Sequence, residues 1–155
     1  MLDRAEPGAV ATEPAPPSLA AAPDGTTIVG YTLSGRYVGT GVVGNASTAT
    51  PARVSVQDRD ARFTAPQELA ADGVVGEVAA RADGTFAVPF AQGAELEPRV
   101  APLFVALGRT TLTAERVAED ALLESAVAFE PGPQGAPVVL YTRAAGGAAI
   151  SRRGG

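Results

Sequence analysis

Asp58 and Asp60, at i and i+2 in ARVSVQDRDARF, share one face of an expected strand and offer two carboxylates to a hard cation. No Gly follows to shape a calcium loop and no third carboxylate is near in the sequence, so the pair reads as a solvated strand end offset by Arg59 and Arg62. Glu95 and Glu97, before Pro98, again share a face. Paired carboxylates run acid–base chemistry only where their surroundings split their pKa values, and a Gly- and Pro-rich loop does not. Gly39-Thr40-Gly41-Val42-Val43-Gly44 matches GxGxxG letter for letter. In a dinucleotide fold those glycines open a helix whose N-terminus holds the pyrophosphate. Here NASTATPARVSV follows, with Pro51, β-branched residues and no helical periodicity, so the stretch reads as a Gly-rich strand and turn. Asn45-Ala46-Ser47 is a formal glycosylation sequon that carries little weight without a secretory signal.

Composition narrows the chemistry further. The 155 residues include no His and no Cys, and all 12 basic residues are Arg. The commonest general base, the commonest metal ligand and every thiolate are therefore missing. These residues predict no catalytic site, no cofactor and no metal. A net charge of −5 argues against nucleic acid, whose phosphates need clustered cations. No apolar run approaches the roughly 20 residues of a membrane span, and the N-terminus lacks the basic-then-apolar layout of a signal peptide.

The elements that must position any site are strands. The chain is 46% hydrophobic but only 5% aromatic, and its 18 Gly and 13 Pro favour strands and loops over long helices. Val74 to Ala91 reads as a hairpin about Asp83-Gly84, with Phe86, Val88 and Phe90 on one face. Pro89 places that strand at an edge or at a bulge. The expected core joins this face to Val75, Leu103, Val105, Val127 and Val139. Ser34-Gly35 is expected to turn Thr27 to Leu33 back into Arg36 to Val43, and PQELAADG within 64–73 reads as a short polar helix or loop. Asp72-Gly73 repeats the Asp83-Gly84 dipeptide, as successive turns of a β-meander do. Val100 to Leu107 reads as a buried strand interrupted at Pro102. Thr113 as cap, Glu115 in the first turn and Leu112 stapled to Val117 predict one short helix reaching Glu124. Ser125 to Phe129 and Val138 to Thr142 form a closing pair of strands.

The expected fold is all-β, a small β-barrel or β-sandwich built from hairpins, with that short helix and an extended Pro/Ala-rich N-terminal arm. The arm spans 1–25, the β-rich domain 26–145 with a sub-boundary near 64–73, and a C-terminal tail 146–155. Prolines hold the arm extended and lower the entropy lost on docking. Val10, Pro14, Pro16, Pro17 and Leu19 are its candidate partner-binding residues.

From about residue 68 to 143 the chain resembles the small capsid-cement, or head-decoration, proteins of tailed bacteriophages. EVAARADGTFAVPFA supplies a strand, a turn and a G-x-F-x-x-P segment; LFVAL and the Thr-rich GRTTLTA follow; ESAVAFEPGPQGAPVVLYTR is similar to the closing strands. Glu97-Pro98-Arg99-Val100 departs from the family pattern by lacking its glycine turn. The resemblance implies a non-enzymatic virion protein that docks on the major capsid protein at the outer shell, as a homo-oligomer with a trimer favoured. A second reading is a secreted or cell-surface β-sandwich that binds carbohydrate or a surface, since ARVSVQDRD and ADGTFAVP are also similar to transthyretin-like modules. A third is an enzyme using only Asp58 and Asp60 or Glu95 and Glu97.

Overall fold

The computed structural model describes residues 9–10, 17–32, 36–37, 51–93 and 100–152. In chain order the strands are β1 (Ala9–Val10), β2 (Ser18–Ala21), β3 (Thr27–Thr32), β4 (Arg36–Tyr37), β5 (Ala52–Gln57), β6 (Gln67–Ala70) and β7 (Gly73–Val75). They continue with β8 (Ala79–Ala80), β9 (Phe86–Gln92), β10 (Val100–Gly108), β11 (Leu112–Phe129), β12 (Pro137–Arg143) and β13 (Ala148–Arg152). A four-stranded sheet runs β2-β3-β5-β6; a seven-stranded sheet runs β13-β12-β11-β10-β9-β7, with β8 also on β9; β1 pairs β4. Every ladder between these strands is antiparallel.

The protein is all-β, and among the described residues there is no helix. The segment expected to be helical from Thr113 to Glu124 lies instead in β11, an 18-residue strand. Its Ala, Glu and Leu favour a helix only weakly per residue, whereas pairing with β10 satisfies a full row of backbone groups. The register opposite Phe104 also puts the Arg116 guanidinium over that ring, at 5.4 Å from its centroid. Exposed Glu115, Arg116 and Glu119 line the stretch before β12 joins at Ala121, and charge there guards a half-paired strand. PQELAADG likewise holds a strand, β6, on the edge of the four-stranded sheet.

Strand β9 is central. Phe86, Val88 and Phe90 pack with Ile28, Val54 and Val56 of the four-stranded sheet, and Phe90 stacks on Phe104 at 5.4 Å. Ala87, on the other face, joins Leu103, Val105, Val127, Val139 and Tyr141. All the expected core residues are buried, but on opposite faces of one sheet. The seven-stranded sheet curls into a half-barrel over its own second face. Past Ala121, β11 turns to pair β12, and an isolated parallel bridge joins its Ala126 to Glu77. Each fully buried Phe or Leu here stabilises the fold by about 1.5–3 kcal/mol.

Pro89 lies inside the sheet rather than at its edge, and a bulge makes room for it. Its carbonyl accepts from the Gly76 N–H at 2.8 Å, on the side where β7 ends and β8 has not begun. The ring's missing donor therefore falls at a break in the ladder. β10 runs unbroken through Pro102, so the expected interruption is not seen; the proline, which has no N–H to donate, coincides instead with register shifts in the ladder to β11. The sheets are tied by side chain to backbone bonds: Val75 N–H donates to Thr32 Oγ1 at 3.0 Å and Val78 N–H to Ser18 Oγ at 2.9 Å.

Strand β3 is flanked by β2 and β5, and β4 pairs β1, so the hairpin expected from Thr27 to Val43 is not how these strands pair. The non-local partner wins because β5 supplies Ala52, Val54 and Val56 to the core. Ser34-Gly35, the GxGxxG stretch, the sequon and Glu95 with Glu97 lie outside the described residues.

Candidate functional site

One hairpin turn recurs. In Ala22–Thr26, Asp58–Arg62, Arg81–Thr85 and Arg143–Gly147 the first N–H donates to the fifth carbonyl and the fourth N–H to the first carbonyl. The fourth residue has positive φ each time: Gly25 at 91°, Ala61 at 60°, Gly84 at 84° and Gly146 at 91°. This is the three-residue hairpin loop, which wants Gly at that place. Asp72-Gly73, read as a twin of Asp83-Gly84, makes no such turn; Gly73 opens β7, where a Cβ would press on the Ala91 carbonyl. The true twin of Asp83-Gly84-Thr85 is Asp24-Gly25-Thr26.

These two Asp-Gly-Thr turns lie side by side, since a Cβ on Gly84 would sit 3.4 Å from Asp24 Oδ2. In each, the aspartate accepts from the Thr N–H two residues on, at 3.0 Å in both cases. Each aspartate is also held by an arginine. Arg59 Nη2 donates to Asp24 Oδ2 at 3.0 Å. Arg81 grips Asp83 with two bonds, Nε to Oδ1 at 3.0 Å and Nη2 to Oδ2 at 2.9 Å. The Thr26 hydroxyl, then its N–H and then Arg59 lower the Asp24 pKa from 3.8 to about 2. The Arg81 guanidinium foremost holds Asp83 well below the carboxylate range.

Between the turns lies a shallow cleft of about 350 Å³, lined by Asp24, Thr26, Asp58, Arg59, Asp60 and Arg109 among others. Arg109 Nη2 donates to the Asp83 carbonyl. Asp58 and Asp60 do not share a strand face as expected, because β5 ends at Gln57 and both sit in the turn. Asp58 Oδ1 accepts from the N–H groups of Asp60 and Arg62, both at 2.9 Å. Its carboxylate is committed to shaping the loop. Asp24 and Asp83 are locked as anions, so they serve as acceptors rather than proton carriers near neutrality. Among the described residues no group of three or more acidic, His or Cys side chains gathers as metal ligands.

The candidate partner-binding residues fall at the start of the fold. Val10 lies in β1 opposite Arg36. Pro14 and Pro16 lie outside the described residues, and Pro17 is exposed just before β2. Leu19 is 64% exposed on β2, an edge strand, while its neighbour Ala20 packs on the core. Sequence reasoning passed over Leu140 and Ile150, exposed at 48% and 64% and directly opposite each other. The signal was Gly146-Gly147 between two alternating runs, a hairpin punctuation. Comparison with protein-family models, curated proteins and solved structures finds no match.

Proposed function

We propose that this protein is a non-enzymatic structural subunit of a virion that decorates a capsid shell from outside and stabilises it. The observation that carries the reading is Leu19. It stands exposed on edge strand β2, directly after the Pro/Ala-rich N-terminal sequence. A sequence rich in small residues and proline, next to a strand that is an edge among the described residues and carries an exposed apolar side chain, suits docking by strand addition or in a groove of the major capsid protein. The commitment of Asp24, Asp58 and Asp83 to turns supports a scaffold role over acid–base chemistry.

Microscopy of purified particles carrying the protein is the test. Density for a β-rich knob on the outer shell, lost when the chain lacks residues 1–16, supports the reading. Particles that assemble without the protein on their surface sink it. Cutting before Pro17 keeps β2, whose Ala20 packs on the core, but removes β1, which pairs β4; an unchanged melting temperature of the truncated chain therefore separates a binding defect from a folding defect. The cleft between the Asp-Gly-Thr turns favours a second reading, an extracellular module binding a carbohydrate or a surface. Binding on a glycan array that falls with Asp60→Ala would move the assignment to it.

A further inference from the structure

Strand β13 ends the seven-stranded sheet with one edge open among the described residues. Its ladder to β12 is unbroken from Thr142↔Ala148 to Val138↔Arg152. It has neither the proline nor the bulge with which proteins guard such edges. Which backbone groups face outward follows from the turn. Arg143 N–H donates to the Gly147 carbonyl at 3.1 Å, so bonded pairs recur at Tyr141/Ala149 and Val139/Ser151. Ala148, Ile150 and Arg152 therefore aim their N–H and C=O groups at the open edge. The same residues put their side chains on the outer face, where Ala126, Leu140 and Ile150 form a cross-strand row.

We infer that β13 pairs with β13 of a second copy of this chain, antiparallel about a two-fold axis through Ile150. Charge selects this occupant. At a net charge of −5 two copies repel, so a self-contact must fall where the local charges cancel. The only charged residue on the outer face of β12 and β13 is Arg152, already held by Glu130 at 3.5 Å. Pairing about Ile150 sets each Arg152 opposite Ala148 of the other copy, away from its twin. Arg143 projects on the opposite face. Every outward group of Ala148, Ile150 and Arg152 then meets a counterpart, and the row Ala126–Leu140–Ile150 continues through Ile150, Leu140 and Ala126 of the second copy. The contact is isologous and closes at two subunits, where the family resemblance implied three.

The contact concerns the isolated protein, so its failure leaves the capsid reading standing, and the reverse. Full-length protein is examined by sedimentation from micromolar to millimolar concentration. A monomer–dimer equilibrium is expected, weakened about ten-fold or more by Ile150→Arg with an unchanged melting temperature. The absence of native cysteine allows a second readout. Ile150→Cys should form a covalent dimer with a short bis-maleimide, far faster than Leu19→Cys, whose parent residue is equally exposed at 64%. A monomer at all concentrations, a trimer, a dimer indifferent to Ile150→Arg, or equal cross-linking at the two cysteines would overturn the proposal.

Discussion

The side-chain amide of Gln67 makes both hydrogen bonds to the backbone of Leu112, Nε2 to the carbonyl at 2.7 Å and Oε1 from the N–H at 2.9 Å. A strand neighbour would make the same pair of bonds. Gln67 opens β6 in the four-stranded sheet and Leu112 opens β11 in the seven-stranded one, so one side chain joins the two sheets. Leu112 is buried and Gln67 half-buried, so removing the amide leaves two backbone groups short of a partner. Gln67→Met keeps the length and loses both bonds; we expect a loss of about 2 kcal/mol in urea unfolding. An unchanged midpoint would show that this clamp contributes nothing.

Ala61 is the one non-glycine residue with positive φ among those described. Left-handed backbone costs a residue with a Cβ roughly 1–2 kcal/mol. Glycine removes that strain but gives back about 0.4–1 kcal/mol as unfolded-chain entropy. The difference favours Ala61→Gly by about 0.5–1 kcal/mol, read as a higher melting temperature. A lower one would mean that the Asp58–Arg62 turn is not strained.

Acid should weaken the fold through the paired turns. Asp24 is lowered from 3.8 to about 2, first by the Thr26 hydroxyl, and Asp83 is lowered further, first by Arg81. A depressed folded pKa means that the unfolded chain binds more protons in this window, so stability rises with pH across it. The contribution is complete above the ordinary value of 3.8 and is lost as pH falls through about 2 and below. Urea midpoints should drop between about pH 5 and pH 2, and Asp83→Asn should flatten that drop while lowering the neutral-pH midpoint. A mutant with the parent's acid slope would remove Asp83 from the account.

Among the described residues the buried Ser55 hydroxyl has no hydrogen-bond partner. It lies opposite Val29 on the outer face of β5, and both are buried there. An unmet buried hydroxyl costs about 1–3 kcal/mol, more than the few contacts its oxygen makes. Ser55→Ala should therefore stabilise the protein by about 1 kcal/mol in thermal or urea unfolding. Destabilisation would reveal a bound water in that place.

The amino-acid sequence by itself determined what is local. Asp83-Gly84 turns because glycine accepts positive φ and the aspartate caps the loop through the Thr85 N–H, all within five residues. The alternation of Phe86, Val88 and Phe90 marked a buried face for the same reason, since period two is a property of one strand. Tertiary structure decided what depends on a distant neighbour. TAERVAEDALLE has helix formers and a cap, yet the open edge of β10 and the Phe104 ring draw it into β11. Arg36 joins β1 and leaves β5 beside β3, because the core between the sheets needs Val54 and Val56. Ala87 is as buried as Phe86 only because the sheet curls back over it. Asp58 and Asp60 became a turn where Ala61 accepts the φ that glycine provides elsewhere, which no residue type announces. Leu140 faces Ile150 across a turn whose glycines were legible, but their shared exposure follows from what the rest of the chain leaves uncovered.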